Sequence, residues 1–220
     1  MAVVLLVRHG QASFGADDYD VLSDVGHRQA EIAASRLAVL PDVTRVVTGA
    51  MVRQRDTAAP LLARLGLTAD EDARFDEYDH VELVRRATDD PGTDLTGVEH
   101  ADARRAFQTV LERSLARWTG GRHDDYHESH DAFRARVRGA VRDVTRDLEG
   151  TAIVVTSGGV ISAVCADALG LDGDGWSRLN TVIVNSSVTK LVVGRRGTTL
   201  VTINDHAHLE PHGAELLTYR

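Results

Sequence analysis

Short, continuous apolar runs rich in valine recur along the chain, and segments with helical periodicity separate them. The runs are Ala2 to Val7, Val43 to Thr48 and Ala152 to Thr156. Such runs are typical of strands buried on both faces of a parallel sheet. Between them, Leu22 to Leu40 and Arg53 to Leu65 carry apolar residues at helical spacing. The alternation predicts an α/β fold, a three-layer α/β/α sandwich with a mostly parallel sheet.

Local signals predict where these helices begin and end. Ser23 is a candidate N-cap for the first helix, and Gly66 directly follows the second. Pro60 lies inside the second helical segment, so we expect it to kink or break that helix. Residues 73–76 are predicted to form another short strand.

The segment from about 80 to 150 has a different pattern, because it is polar and mostly helical. We interpret it as a helical cap insertion, ending in a long helix over Ser129–Leu148, within a single domain of 220 residues. After the strand at Ala152, a helix through Leu169 is predicted. Val182–Val193 and Thr199–Ile203 are then predicted to complete the sheet as a hairpin.

Charge and cysteine content limit the possible partners and compartments. The net charge is −8 and the pI about 5.6, which argues against binding to nucleic acid. An anionic ligand would need a local positive pocket. Cys165 is the only cysteine, no long apolar segment predicts a membrane span, and Ala2–Val7 lacks a basic leader. We therefore expect a cytoplasmic protein; the oligomeric state is not predicted.

Arg8-His9-Gly10 directly follows the first predicted strand. Ligands of α/β sheets bind at the carboxyl ends of strands, so these residues are expected at the ligand edge. Arginine can bind phosphate oxygens in a fork, histidine can attack through one ring nitrogen, and glycine admits a ligand close to the backbone. Alone, the three residues are better explained by a histidine with a structural role at the end of a strand.

Longer motifs surround this tripeptide. In chain order, residues 22–30 read LSDVGHRQA, residues 53–58 RQRDTA, residues 75–77 FDE, residues 152–160 AIVVTSGGV and residues 204–209 NDHAHL. Together they resemble the histidine phosphatase superfamily, also called the phosphoglycerate mutase-like family. Its pattern is a strand ending in Arg-His-Gly, then helix starts Leu-Thr-x-x-Gly-x-x-Gln-Ala and Arg-Ala-x-Gln-Thr-Ala. The resemblance spans nearly the whole chain except the segment at 80–150.

The resemblance implies a phosphatase that acts through a phosphohistidine on a small phosphorylated metabolite, without a metal ion or other cofactor. It implies that His9 attacks phosphorus and that Arg8 and Arg53 stabilise the phosphoryl oxygens. Glu77 would protonate the leaving alkoxide and later activate water. Further contacts to the phosphate or substrate are expected for Gly10, Gln11, Ser157 and Gly158. Ser13 is expected to offer the nearest hydroxyl, because the usual Thr and Asn after Arg-His-Gly are missing.

Alternatives to two of these assignments lie close in the sequence. Asp76 and Asp79 flank Glu77 in an acidic stretch, and Arg55 follows Arg53 by two residues. The cap at 80–150 is expected to set the choice of substrate.

The chain departs from the family pattern at several positions. Ser157 stands where the family usually places a second histidine, in Ser-His-Gly-Gly. A serine is a neutral donor, and losing one preorganised donor typically costs about 10²–10³ in rate. His80 is a candidate to compensate. Ala12 and Gly15 replace the usual Thr and Asn, and Gln11 stands where mutases more often have Glu, which weakens a mutase assignment.

Three other functions remain open from the sequence. A serine hydrolase built on Ser157 is disfavoured because Val155 occupies the first glycine of Gly-x-Ser-x-Gly. A metal site could use two groups of histidines, although solvated histidines explain them more simply. The groups are His123, His127 and His130, and His206, His208 and His212. A catalytically impaired module that binds phosphate esters is the third alternative, because Ser157 weakens turnover.

Overall fold

The computed structural model describes residues 2–13, 20–90, 103–195 and 197–219. Its sheet has six strands: β1 (Ala2–Arg8), β2 (Val43–Thr48), β3 (Ala69–Glu71), β4 (Thr151–Thr156), β5 (Val188–Gly194) and β6 (Gly197–Asp205). Their order is β3-β2-β4-β1-β5-β6. The first four strands are parallel, whereas β5 runs antiparallel to β1 and pairs with β6 as a hairpin. The predicted mostly parallel sheet with a C-terminal hairpin is confirmed.

The helices connect these strands along the chain. They are α1 (Asp24–Leu37), α2 (Val52–Leu65), α3 (His80–Asp89), α4 (Ala103–Thr119), α5 (His130–Thr145), α6 (Gly158–Leu169) and α7 (Gly173–Val182). Within the ranges given above, none of the helices has both the length and the apolarity needed to cross a membrane.

Alternate residues of the central strands pack on opposite faces of the sheet. Leu5 and Ile153 face one side, where residues of α1 and α2 cover them. Leu6 and Val154 face the other side, in a cluster with residues of α4, α5 and α6. Each fully buried aliphatic side chain contributes about 1.5–3 kcal/mol to the stability of the fold. A slip of one residue in strand register would exchange the side chains of the two faces, so this burial specifies the register. This packing produces the three-layer architecture.

The predicted signals at helix ends are mostly confirmed. The Ser23 hydroxyl accepts a hydrogen bond from the backbone N–H of Gly26 at 3.1 Å and caps α1. Gly66 adopts φ 65° and ends α2 in the left-handed conformation. A break at Pro60 is wrong, since α2 continues to Leu65; the other expected outcome, a kink, stays a prediction. The neighbouring Leu61 is buried against the sheet and holds the helix in place across the missing hydrogen bond.

Two strand predictions are wrong, the first in the type of element and the second in its extent. Residues 73–75 form a short 3₁₀ helix instead of a strand, because the Asp72 carboxylate accepts the backbone N–H of Arg74 at 3.0 Å. The strand predicted from Val182 begins only at Val188. The Asn204 side chain accepts the backbone N–H of Val184 at 2.7 Å, and Ser186 has φ 59°, so this segment turns away from the sheet.

The polar segment at 80–150 contributes α3, α4 and α5 in its described part. Trp118 on α4 and His130 on α5 pack edge to face at 4.9 Å between ring centroids. Trp176 on α7 also packs edge to face against this imidazole, at 5.1 Å between ring centroids. The segment therefore shares its core with the rest of the domain. That it caps the ligand edge and selects the substrate stays a prediction.

Candidate active site

The carboxyl ends of β1, β4 and β2 meet at one edge of the sheet. Arg8 pairs with Thr156 in the parallel register, and the N–H of His9 donates to the Thr156 carbonyl at 2.8 Å. The N–H of Gly49, after β2, donates to the Val155 carbonyl at 3.2 Å. Because parallel strands end together, the sequence-distant segments that follow them are neighbours at this edge.

His9 is buried, with 6% of its surface exposed. Its Nδ1 lies 2.7 Å from the Gly10 carbonyl oxygen. A carbonyl can only accept, so Nδ1 carries the proton and Nε2 holds the lone pair. Burial, followed by the charges of Arg53 and Arg8, lowers the pKa of His9 well below 6.5. The imidazole is therefore neutral near pH 7, the form that a nucleophile requires.

Arg53 meets the imidazole from the first turn of α2. Its Nε donates to His9 Nε2 at 3.2 Å, and its Nη1 forms an ion pair with Asp20 at 2.7 Å. The other oxygen of Asp20 accepts the N–H of Val52 at 2.8 Å, at the start of α2. Arg55 instead lies on the outer face, paired with Glu71. The structure thus brings Arg53, and not Arg55, to the histidine.

Arg8 is also buried, and its guanidinium donates to the carbonyls of Ile183 and Tyr219. A Cβ at Gly158 would lie 3.2 Å from Asn180 Oδ1 and 3.4 Å from Arg8 Nε, so the start of α6 lies within contact distance of this arginine. Asn185 secures the strand end by donating from Nδ2 to the His9 carbonyl at 3.1 Å.

The turn after His9 is built on a close approach of two glycines. A Cβ on Gly10 would lie 2.5 Å from the Gly26 carbonyl oxygen, and one on Gly26 would lie 2.2 Å from the Gln11 carbonyl oxygen. The N–H of Gly10 donates to Thr57 Oγ1 at 2.9 Å. The first turn of α1 therefore supports the backbone of the histidine loop directly.

Gln11 and Ser13 lie on this loop and face the segment before α1. The side-chain oxygen of Gln11 accepts a hydrogen bond from the Ser23 hydroxyl at 2.9 Å. The backbone N–H of Gln11 donates to the side-chain oxygen of Gln29 at 2.8 Å. The Ser13 N–H donates to the Val21 carbonyl at 2.9 Å. Their predicted contacts to phosphate stay predictions. Gly15 lies outside the described residues.

The three candidate acids have different environments. Glu77 Oε2 accepts the backbone N–H of Gly159 at 3.0 Å, in the first turn of α6. Asp76 accepts the N–H of Ala50 at 2.6 Å, and burial raises the pKa of its carboxyl. Asp79 caps α3. Of the three acids, Glu77 is the one whose described contacts include the segment that follows β4.

Ser157 is fully buried at the end of β4. Its hydroxyl accepts a hydrogen bond from Gln54 Nε2 at 2.8 Å. A serine hydrolase would require a histidine as the partner of this hydroxyl, whereas the partner here is an amide. His80, the suggested substitute for the missing histidine, begins α3. Gln54 and Asp20 were missed in the sequence. Gln54 takes a motif position that is alanine in the family pattern, and Asp20 lies outside the motifs, so neither carried a signal.

The histidines of the first suggested metal site are separated by their environments. The His127 side chain is 82% exposed, whereas His130 is buried among tryptophans, and burial lowers its pKa to about 4. His206 and His208 bond to the backbone carbonyls of Asn204 and Ser186. Across the described ranges, no three His, Cys, Asp or Glu side chains group as metal ligands.

A comparison with family profiles decides the assignment. Residues 4–206 match the Histidine phosphatase superfamily (branch 1). The chain belongs to this family. No curated protein sequence matches it significantly.

Solved structures share the fold. A mycobacterial glucosyl-3-phosphoglycerate phosphatase is 23% identical, with a TM-score of 0.62 over 92% of this chain and 98% of its own. A phosphoserine phosphatase mutant from Entamoeba histolytica, in complex with phosphoserine, is 14% identical, with a TM-score of 0.69 over 95% and 100%. A phosphoglycerate mutase from Bacillus anthracis str. Sterne is 16% identical, with a TM-score of 0.65 over 95% of each chain.

Proposed function

We propose that this protein is a phosphomonoesterase that acts through a phosphohistidine on a small phosphorylated metabolite. The observation that carries the proposal is the buried, neutral His9, with its Nε2 lone pair facing the cationic Arg53. The arrangement combines a nucleophile with positive charge that suits phosphoryl oxygens. Two of the proteins described above that share this fold act on, or bind, small phosphate esters.

In the first step, the phosphoryl group would bind to Arg8 and Arg53, and Arg53 would exchange its contact with His9 for a phosphoryl oxygen. Nε2 then attacks phosphorus, and the bond to the ester oxygen breaks. Glu77 donates a proton to the departing alkoxide. The positive charge comes from the two arginines, so the proposed step uses no metal ion or cofactor.

In the second step, water would attack the phosphorus of the phosphohistidine. Glu77 takes a proton from this water, the P–N bond breaks, and the electron pair returns to Nε2. A mutase would instead pass the phosphoryl group to a second hydroxyl of the substrate. Gln11, in place of the glutamate more frequent in mutases, favours hydrolysis.

A phosphate-ester-binding module without turnover is the second candidate. The observation that favours it is Ser157, which is neutral and fully buried at the position of the usual second histidine. Such a module would bind phosphate esters through Arg8 and Arg53 and leave them intact.

The test is a screen of small phosphate monoesters against the wild type and His9→Ala. We expect hydrolysis by the wild type, a loss of about 10⁴-fold or more without the nucleophile, and an acid-labile phosphoenzyme in a rapid quench. The exposed His27 on α1 provides the matched control, and His27→Ala should behave as wild type. Ester binding without release of phosphate would establish the second candidate instead.

A further inference from the structure

Gln54 is fully buried beside Arg53 in the first turn of α2. Its Nε2 donates to Ser157 Oγ at 2.8 Å and to the Phe75 carbonyl at 3.1 Å. Its Oε1 accepts the N–H of Met51 at 3.3 Å. Both hydrogens of the amide nitrogen are engaged, so the side chain cannot turn without leaving a buried polar group unsatisfied.

The amide also fills space at the end of β2. A Cβ on Gly49 would lie 2.0 Å from Gln54 Oε1, so the absence of a side chain at 49 makes room for the amide. The family pattern has alanine where this chain has Gln54, and histidine where it has Ser157. Gln54 is thus larger than the usual residue, Ser157 is smaller than the usual residue, and the two side chains are in direct contact.

Three segments of the site meet at this amide. Arg53 precedes Gln54, Phe75 lies two residues before Glu77, and Ser157 lies between β4 and α6. The Phe75 carbonyl accepts a second hydrogen bond from Thr156 Oγ1 at 2.7 Å. The segment that carries Glu77 is thus tied to both α2 and the end of β4.

We propose that Gln54 is a positioning residue for phosphoryl transfer, and that Gln54 and Ser157 together occupy the place of the usual second histidine. Gln54 holds the segment carrying Glu77 against the strand ends that carry His9 and Ser157. The role in catalysis rests on the function proposed above, whereas the pairing of the two side chains does not.

The identity of the leaving group provides the discriminating readout. An alkoxide needs a proton from a well-placed acid, whereas p-nitrophenolate leaves without one. Displacing a catalytic group by about 1 Å can cost 10²-fold in rate. A variant that disturbs the placement of Glu77 should therefore lose more activity on an alkyl phosphate than on an aryl phosphate.

The first experiment measures kcat/KM for glycerol 2-phosphate and p-nitrophenyl phosphate in the wild type, Gln54→Ala and Gln54→Met. Methionine keeps the volume without the hydrogen bonds, and so guards against a misfolded alanine variant. We expect a loss of about 10²-fold on the alkyl ester and about tenfold or less on the aryl ester. Equal losses on both esters, or unchanged rates, overturn the positioning role.

Ser114 provides the matched control. It is also a fully buried serine, but its hydroxyl bonds to the Val110 carbonyl within α4. Ser114→Ala should leave the ratio of the two kcat/KM values as in the wild type.

The second experiment compares Ser157→His with the double variant Gln54→Ala/Ser157→His. The Gln54 amide blocks the imidazole in the single variant, so we expect a loss of kcat/KM of about tenfold or more. The double variant, which restores the family pattern, should recover at least wild-type activity. A single Ser157→His variant that is faster than wild type overturns the proposal, because the space would then be open.

Thermal unfolding tests the pairing without any assay of phosphatase activity. The Tm change of Gln54→Ala/Ser157→Ala should differ from the sum of the single changes by about 2–4 °C, whereas Gln54→Ala/Ser114→Ala should be additive. Additivity in both cycles overturns the pairing. If the wild type shows no hydrolysis that depends on His9, the proposed function fails, and the cycles still decide whether Gln54 and Ser157 act together.

Discussion

β1 and β4 end side by side, and the groups that follow them differ in charge. At the end of β1, Arg8 and the neutral His9 lie buried with Arg53, and the ion pair of Arg53 with Asp20 partly balances the two cations. At the end of β4, Ser157 meets the neutral Gln54. The charged end suits the oxygens of a phosphoryl group, and the neutral end suits a segment that must only be held in place.

The two ends also differ in what it costs to disturb them. Removing a cation from the β1 end takes away charge that a phosphate ester would need. Removing one partner at the β4 end leaves a buried hydrogen-bonding group unsatisfied, at about 1–3 kcal/mol. Variants at the first end should therefore change catalysis most, and those at the second should change both catalysis and stability.

The largest expected effect is at the charged end. Arg53→Ala should lower kcat/KM for a phosphate monoester by about 10²–10³, because one preorganised donor to the phosphoryl oxygens is lost. Arg55→Ala is the control, and it should stay within about twofold of wild type because exposed ion pairs contribute little. Steady-state kinetics on both variants measures the difference. Equal losses would mean that the position of Arg53 beside His9 has no role in turnover.

On the segment that is held at the neutral end, Glu77→Gln should lower kcat/KM for an alkyl phosphate by about 10², and for p-nitrophenyl phosphate by less, since general acid catalysis is worth about 10²–10⁴. Asp79→Asn should differ little, because asparagine caps a helix about as well as aspartate. A larger loss in the Asp79 variant than in the Glu77 variant would reassign the acid.

The smallest effect concerns pH. The pKa of His9 is lowered in the folded protein, so the acid limb of kcat/KM should lie below pH 6.5. Arg53→Ala removes a cation that contributes to this lowering, so the limb should move to higher pH. The measurement is kcat/KM of the wild type and of Arg53→Ala as a function of pH from 4.5 to 8. An acid limb at lower pH in the variant would contradict this prediction.

The same lowering of the pKa affects stability. Below pH 6.5 the unfolded chain binds a proton that the buried imidazole resists. As the pH is lowered from 6.5 toward the pKa of His9 in the folded protein, the free energy of unfolding should therefore decrease.

The fold was predictable where a short pattern decides the structure. Continuous apolar runs at Ala2–Val7 and Ala152–Thr156 lie in the two central strands because both of their faces are covered. The segment after Val182 was predicted as strand, since its apolar residues do not reveal that the distant Asn204 binds the backbone at Val184. Contacts over such separations leave no local periodicity.

The candidate site divides in the same way. Arg8, His9 and Arg53 lie in motifs that could be read along the chain, and the structure places Arg53 at the histidine. Gln54 and Asp20 gain their importance only from partners far away in sequence. That Ser157 leaves the position of the second histidine short of a donor stays a prediction, and the sequence did not reveal that its hydroxyl accepts a hydrogen bond from the Gln54 amide.

Gly26 has a consequence for protein engineering. A glycine inside a helix such as α1 costs about 1 kcal/mol relative to alanine, so a stability-guided redesign would replace it. Yet a methyl group at 26 would lie 2.2 Å from the Gln11 carbonyl oxygen, two residues after His9. A substitution expected to improve the helix would therefore displace the loop of the nucleophile, so Gly26 should be kept in any attempt to make the protein more heat-resistant.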